Sequence, residues 1–234
     1  MYVQNVAHDD YSVFTTKNNF LKLWLRIKNH LDSFPLKLFR YHDPEHFFLA
    51  WLPGSGISEA EINHFSLVHL HWICHGFIRL EKLKRIKRPI LWTLHDMWPF
   101  TGGCCYSYEC ENFMTQCGRC PQLGSKSNKD ISYWVWKRKE RVFNQTNMSI
   151  VAPSRWMYRL AAQSSLLKDK NIHWVPNGVD LDTFQPREIG YSRRILKLPV
   201  DRKLVLVGAY DITSDPRKGF THLVSALNSL NKEF

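Results

Sequence analysis

Five cysteines, Cys104, Cys105, Cys110, Cys117 and Cys120, fall within seventeen positions of one another. Thiolates suit Zn²⁺, which takes four of them as a tetrahedron. Cys117-x-x-Cys120 has the tight spacing of half a metal knuckle, and Cys110 with either Cys104 or Cys105 completes a set. The candidate zinc ligands are therefore Cys104, Cys110, Cys117 and Cys120. Such a site is structural, because four thiolates leave no position for a substrate. Two other fates fit the same residues: a pair of disulfides, which requires an oxidising compartment, or free thiols in a loop.

Histidines mark two segment ends. His69 and His71 alternate with Val68, Leu70 and Trp72, so both point to one face of an extended segment. Read alone, they are edge histidines satisfied by neighbours. His95 and Asp96 follow the strand-like run Pro89 to Leu94, at the carboxyl edge where open α/β sheets bind ligands. An imidazole there can donate to a sugar hydroxyl or take part in proton transfer. Asp96 either orients that ring or caps the loop. Asn177 lies in Pro176-Asn177-Gly178-Val179-Asp180, which reads locally as a tight turn with Gly178 at positive φ. Gly208 ends a later strand-like run, and Arg217, Lys218 and Gly219 precede a helical pattern. A glycine admits a ligand close to the backbone, and two cations at a helix start can cradle a diphosphate. A solvated basic turn fits the same residues. The run Arg79 to Arg88 carries six cations and one acid, and reads as a solvated helix face or a contact for anionic head groups. Trp134, Trp136 and the cations 137–139 allow the same two readings.

The elements positioning these groups follow a β–α–β rhythm. Strands are predicted at Phe65 to Trp72, Pro89 to Leu94, Met148 to Ala152 and Ile172 to Val175. Helices are predicted over Phe77 to Lys87, ended by Pro89, and from Ser154, as N-cap, to about Leu166. That alternation implies an α/β fold with a parallel, doubly wound sheet. Residues 1–186 read as one Rossmann-like domain with a Cys-rich loop at 102–121. Residues 187–202 read as a polar linker. Residues 203–234 hold a strand, Lys203 to Val207, and a helix patterned by Phe220, Leu223, Val224, Leu227 and Leu230. One strand and one helix cannot bury a core, so a second domain is only begun there.

Composition narrows the function classes. Hydrophobic residues make up 44% and charged residues 23% of the 234, which argues against wholesale disorder. No apolar run reaches the roughly 18 residues needed to span a bilayer. The first residues carry Asp9 and Asp10 and no apolar core, unlike a secretion signal. A formal charge of +11 calls for an anionic partner: nucleic acid, a membrane surface or a phosphorylated small molecule. Nine tryptophans suit a core and a substrate cleft.

Several motifs occur in a fixed order: His-Asp-Met-Trp-Pro-Phe-Thr-Gly-Gly-Cys (95–104), Cys-Gly-Arg-Cys-Pro-Gln-Leu (117–123), Ala-Pro-Ser-Arg-Trp-Met (152–157), Pro-Asn-Gly-Val-Asp (176–180) and Arg-Lys-Gly (217–219). With them the chain resembles the family-four retaining glycosyltransferases of GT-B fold, of the colanic-acid and exopolysaccharide type, over about its whole length. The resemblance implies two Rossmann-like domains across a cleft, the N-terminal one facing a saccharide or lipid-linked acceptor. The C-terminal one would bind a nucleotide-diphosphate sugar. It implies that Arg217 and Lys218 neutralise the donor diphosphate, that Gly208 lets the donor approach, and that His95 stands near the transferred sugar, with Asp96 and Asn177 in the cleft. Catalysis would be electrostatic stabilisation of the leaving nucleoside diphosphate, with no metal required and zinc at most structural. The expected setting is the cytoplasm, with room for peripheral contact at the inner face of the membrane, and no nucleic acid. Relatives open with a strand and Gly-rich loop, whereas Met1 to Gln4 reads as a later strand. They also carry a Glu-x7-Glu pair beyond the region covered here. A fragment that does not turn over alone is therefore expected. Two other classes remain: a zinc-knuckle nucleic-acid-binding module, or a non-catalytic adaptor on a membrane surface.

Overall fold

Short β-rich runs flanked by prolines and polar turns build the centre of the molecule. The computed structural model describes residues 19–39, 46–52, 54, 57–74 and 76–230. Four strands, β1 (Val68–Leu70), β2 (Ile90–Thr93), β3 (Met148–Ala152) and β4 (Asn171–Trp174), form one parallel sheet in the order β1-β2-β3-β4. Val68 stands opposite Ile90, Ile90 opposite Met148, and Ser149 opposite Asn171. Parallel neighbours need crossovers. Here these run through helices α3 (Leu80–Leu83), α4 (Ile131–Phe143) and α5 (Arg155–Gln163). Every strand therefore delivers its carboxyl end to the same edge. Two further helices, α1 (Asn19–Ser33) and α2 (Glu59–His64), precede the sheet. The glycosyltransferase-type α/β architecture expected from the sequence is present in this sheet.

Packing follows the strand alternation. Leu70, Ile90, Trp92, Ile150 and Ala152 are buried in one core with Met97, Trp98, Phe100 and Phe143. Trp92 meets Phe143 edge-on at 5.8 Å between ring centroids. A second core gathers Leu36, Phe47, Leu49, Cys104, Cys120 and Val135. Capping sets the helix starts. Ser154 accepts from the Met157 amide, as its residue type predicts. Asp130 accepts from the Ser132 and Tyr133 amides, the Ser132 hydroxyl and, from the Cys-rich loop, the Cys120 amide. Arg138 of α4 forks onto Glu81 of α3 and donates to the Ala50 carbonyl, which locks α4, α3 and the 46–52 segment together.

Several elements differ from the sequence-based expectation. The first strand contracts to three residues, and Phe65 and Leu67 are exposed. The helix expected over 77–87 shrinks to a single turn. Its tail is held instead by Asn63, which accepts from the Lys87 amide and the Arg88 guanidinium. Arg85 pairs with Glu59 and Lys82 donates to the Ile57 carbonyl, so much of the basic run is engaged within the fold. The polar stretch read as a linker contains helix α6 (Ile189–Ile195), because the Glu188 carboxylate caps the Gly190 and Tyr191 amides. Residues 203–207 form no strand: a strand exists only through a ladder partner, and none of the described strands pairs with them. The patterned helix beyond them is α7 (Phe220–Leu230). Met1 to Gln4 lie outside the described residues.

Contacts divide the chain after Gly178 into two units. Among the described residues of the second, none is buried, and Leu206 is 98% exposed.

Asp130→Ala is expected to destabilise the fold by about 2–4 kcal/mol, since it removes the α4 cap and orphans the Cys120 amide. Urea denaturation of the purified chain measures this, and a loss below about 0.5 kcal/mol would contradict the assignment. Arg138 holds the Glu81 carboxyl down at about 2. A depressed folded-state value stabilises above the unfolded one, and that contribution fades as pH falls from about 5 towards 2. Wild type should therefore lose more stability than Glu81→Gln across that window.

Candidate functional site

Because β1 and β2 are adjacent and parallel, the residues leaving them emerge side by side. His69 Nε2 lies 2.8 Å from Thr93 Oγ1, and His71 Nδ1 lies 2.9 Å from His95 Nε2. The His71 and His95 rings stack with centroids 5.2 Å apart, and His69 and His71 are 4.2 Å apart. Three imidazoles thus form a ladder on an exposed face of the sheet edge. A hydrogen bond between two neutral imidazoles needs one ring to donate and the other to accept. Partial burial, and then the charges His69 and His95 would carry, push the His71 pKa below its ordinary value. His71 is therefore biased toward its neutral form, in which one ring nitrogen donates and the other accepts.

Behind the ladder the chemistry turns inward. Asp96 is buried; its Oδ2 accepts from Trp72 Nε1 at 2.9 Å and its Oδ1 from the Trp98 amide at 2.8 Å. Of the two roles expected, Asp96 takes that of loop cap. It makes no hydrogen bond to His95. Trp92 Nε1 donates to the His71 carbonyl, which fixes the backbone below the ladder. A narrow crevice runs along this edge between His71, Trp72, His95, Asp96 and Trp98.

The four thiols of the expected set share one neighbourhood: Cys104 is acted on by Cys110, Cys117 by Cys104 and Cys110, and Cys120 by Cys104. Segment 46–48 bridges it antiparallel at Phe47 and Cys104, with Phe48 N donating to the Gly103 carbonyl and Cys105 N to the His46 carbonyl. Gly103 has φ 131°, and a Cβ there would meet the Phe47 ring at 2.5 Å, so glycine is required. Successive residues on the bridge face opposite ways. Cys104 joins the second core with Cys120, whereas Cys105 joins the main core with Cys74 and Cys117. No three of Cys104, Cys110, Cys117 and Cys120 bring their sulfurs within 4.8 Å of one another. Among the described residues, the group that does so is Cys74, Asp96 and Cys105. Burial pushes the Cys104, Cys117 and Cys120 thiols up, and Cys74 and Cys105 are pushed up as well. An open concavity of about 1080 Å³ lies over the loop, lined by Glu109, Cys110, Asn112 and Arg119 among others. It shares no lining residue with the histidine edge.

The remaining expected residues are distributed as follows. Asn177 is exposed beyond β4, two strands from β2. Val175 still donates to the Ala152 carbonyl, and the chain then runs on without a tight turn or a positive φ at Gly178, correcting that reading. A Cβ on Gly208 would meet nothing within 4 Å, so its backbone is open to approach. Arg217 Nε and Nη2 fork onto the Asp215 carboxylate at 2.8 and 2.7 Å, and Lys218 ends the same turn just before α7. His71, Thr93, Trp72 and Cys74 went unread as site residues. The His69–His71 alternation already signalled a shared face; nothing local linked Cys74 to Cys105, far along the chain.

No helix among the described residues is long and apolar enough to cross a membrane. No solved structure matches the chain. WcaC of Escherichia coli (strain K12), a protein named as a glycosyl transferase of colanic acid biosynthesis, is 29% identical over 129 residues. That match covers 51% of this chain and 31% of the relative, so the chain spans about a third of its length. The model of Glycosyltransferase Family 4 matches residues 3–183, which takes in the sheet, the Cys-rich loop and the histidine edge. The chain belongs to glycosyltransferase family 4.

Proposed function

We propose that this chain is the acceptor side, with part of the donor side, of a retaining glycosyltransferase. It moves a sugar from a nucleotide-diphosphate donor to a saccharide or lipid-linked acceptor in polysaccharide biosynthesis. The work takes place in the cytoplasm, at the inner face of the membrane where the acceptor is lipid-linked. The observation that carries this reading is the His71–His95 hydrogen bond at the carboxyl edge of a parallel sheet. It leaves His95 Nδ1 as the ring atom free to meet a sugar hydroxyl.

The chain's own residues divide the work. His95 positions the sugar, held by His71, which is itself backed by His69. Arg217 and Lys218 neutralise the departing diphosphate, whose charge is what the transition state develops. Arg217 forks a carboxylate already, and a diphosphate offers the same planar pairing with more charge. The donor exchanges that partner for its own oxygens. Gly208 lets the donor lie on the backbone, and Asn177 lines the rim. This step uses no metal.

Three outcomes follow. Ligand-detected NMR with hexose and hexose-phosphate acceptors should show binding to the wild-type chain about three- to tenfold tighter than to His95→Ala, as for one neutral hydrogen bond. Equal binding by both would remove the assignment of the edge. His71 has a folded-state pKa lowered from 6.5. The unfolded state then binds more protons, so stability falls as pH drops through about 6.5, and His71→Asn should flatten that decline. A wild-type stability that is level from pH 8 to 5 contradicts it. The 234 residues alone should show no sugar transfer from UDP- or GDP-sugars, since the described part of the second unit buries no residue around Arg217. Measurable turnover would sink that expectation.

A further inference from the structure

We propose that Cys74, Asp96 and Cys105 hold a thiol-preferring divalent metal ion of the zinc class, which pins the Cys-rich loop to the carboxyl edge of the sheet. The three ligand atoms lie within 4.8 Å of one another, and all three side chains are buried. Neighbouring ligands around tetrahedral zinc, with bonds of about 2.0–2.3 Å, stand roughly 3.3–3.8 Å apart. Closing to that spacing needs only small side-chain adjustments. The residues come from three separate pieces of backbone: the chain leaving β1, the chain leaving β2, and the Cys-rich loop where segment 46–48 bridges it.

Independent features around the group fit an ion. Ligating carboxylates are oriented by hydrogen bonds of their own. Asp96 accepts one on each oxygen, from Trp72 and the Trp98 amide, and each oxygen keeps a further lone pair. Two thiolates, a carboxylate and a divalent ion sum to one negative charge. Lys139 is fully buried close by, and the thiols that act on it are, in order, Cys74, Cys104, Cys117 and Cys105. Its ammonium completes a neutral buried set, the condition under which charge is tolerated in a core. Three protein ligands leave a fourth position. The crevice lined by both Cys74 and Asp96 is the side from which a fourth ligand would enter. The ion displaces both thiol protons to solvent, and no electron changes hands.

The test uses the whole 234-residue chain, purified without chelator. Elemental analysis should find about one zinc per chain. Chelator treatment should lower the melting temperature and added Zn²⁺ restore it. Replacement by Co²⁺ should give the thiolate-to-cobalt charge-transfer band. Cys110→Ser/Cys117→Ser should keep the metal and the band. Cys74→Ser and Cys105→Ser should each weaken metal affinity at least tenfold and reduce the band. The proposal is overturned if folded wild type binds no zinc, if non-reduced peptide mapping finds a Cys74–Cys105 disulfide, or if Cys110→Ser/Cys117→Ser is the variant that loses the metal. Should the single serine variants fail to fold, the wild-type cobalt spectrum and the Cys110→Ser/Cys117→Ser variant still decide it.

Discussion

The buried carboxylate of Asp96 sets the geometry of the sheet edge. With one oxygen it takes the Trp72 indole from the chain leaving β1, and with the other the Trp98 amide from the turn after β2. A charged group removed from water is tolerated only when its lone pairs are used, so both segments are held by the same requirement. Fixing Asp96 inward leaves its neighbour His95 outward, where it meets His71 on the adjacent segment. The ladder of imidazoles depends on that inward-facing acid.

Lys139 plays the matching role one layer deeper. Its ammonium lies 3.8 Å from the centre of the Trp98 ring and donates to the carbonyls of Trp98 and Thr101. It thereby satisfies the Thr101 carbonyl and adds a second donor to the Trp98 carbonyl, which already accepts from the Thr101 amide. Burial pulls its pKa down to about 8, against the opposing influence of four nearby thiols. The turn carrying the site is thus clamped from above by a carboxylate and from below by an ammonium. Arg138, forking onto Glu81 and reaching the Ala50 carbonyl, ties the same helix to the segment that bridges the Cys-rich loop.

The parallel sheet was legible because its signals are local: the apolar alternation of Met148 to Ala152, the Ser154 cap, and the prolines that stop each run. His95 at a strand's carboxyl end was legible for the same reason. What could not be read was set by register and by sidedness. Whether His71 meets His95 depends on Leu70 standing opposite Trp92, a pairing that local spacing does not encode. Cys104 and Cys105 are neighbours in sequence yet enter different cores, because an antiparallel bridge at Phe47 sends them opposite ways. The spacing of the five cysteines suggested one set, while the bridge turns Cys105 away from Cys104 and brings it to Cys74. Helix α6 was missed because its start rests on a Glu188 cap inside a polar stretch. The run Lys203 to Val207 had strand composition but lacks the ladder that makes a strand.

The two units place opposite demands on their charged groups. In the first, Asp96, Asp130 and Lys139 are buried and engaged; they build rigidity, and the histidines sit outside them on a surface they hold still. In the second, Arg217 forks onto Asp215 within one short turn, a local pair that builds no core. On the proposed function, a diphosphate would take over the Arg217 fork from Asp215, while the buried groups beneath the sheet edge would hold an imidazole still against a sugar hydroxyl.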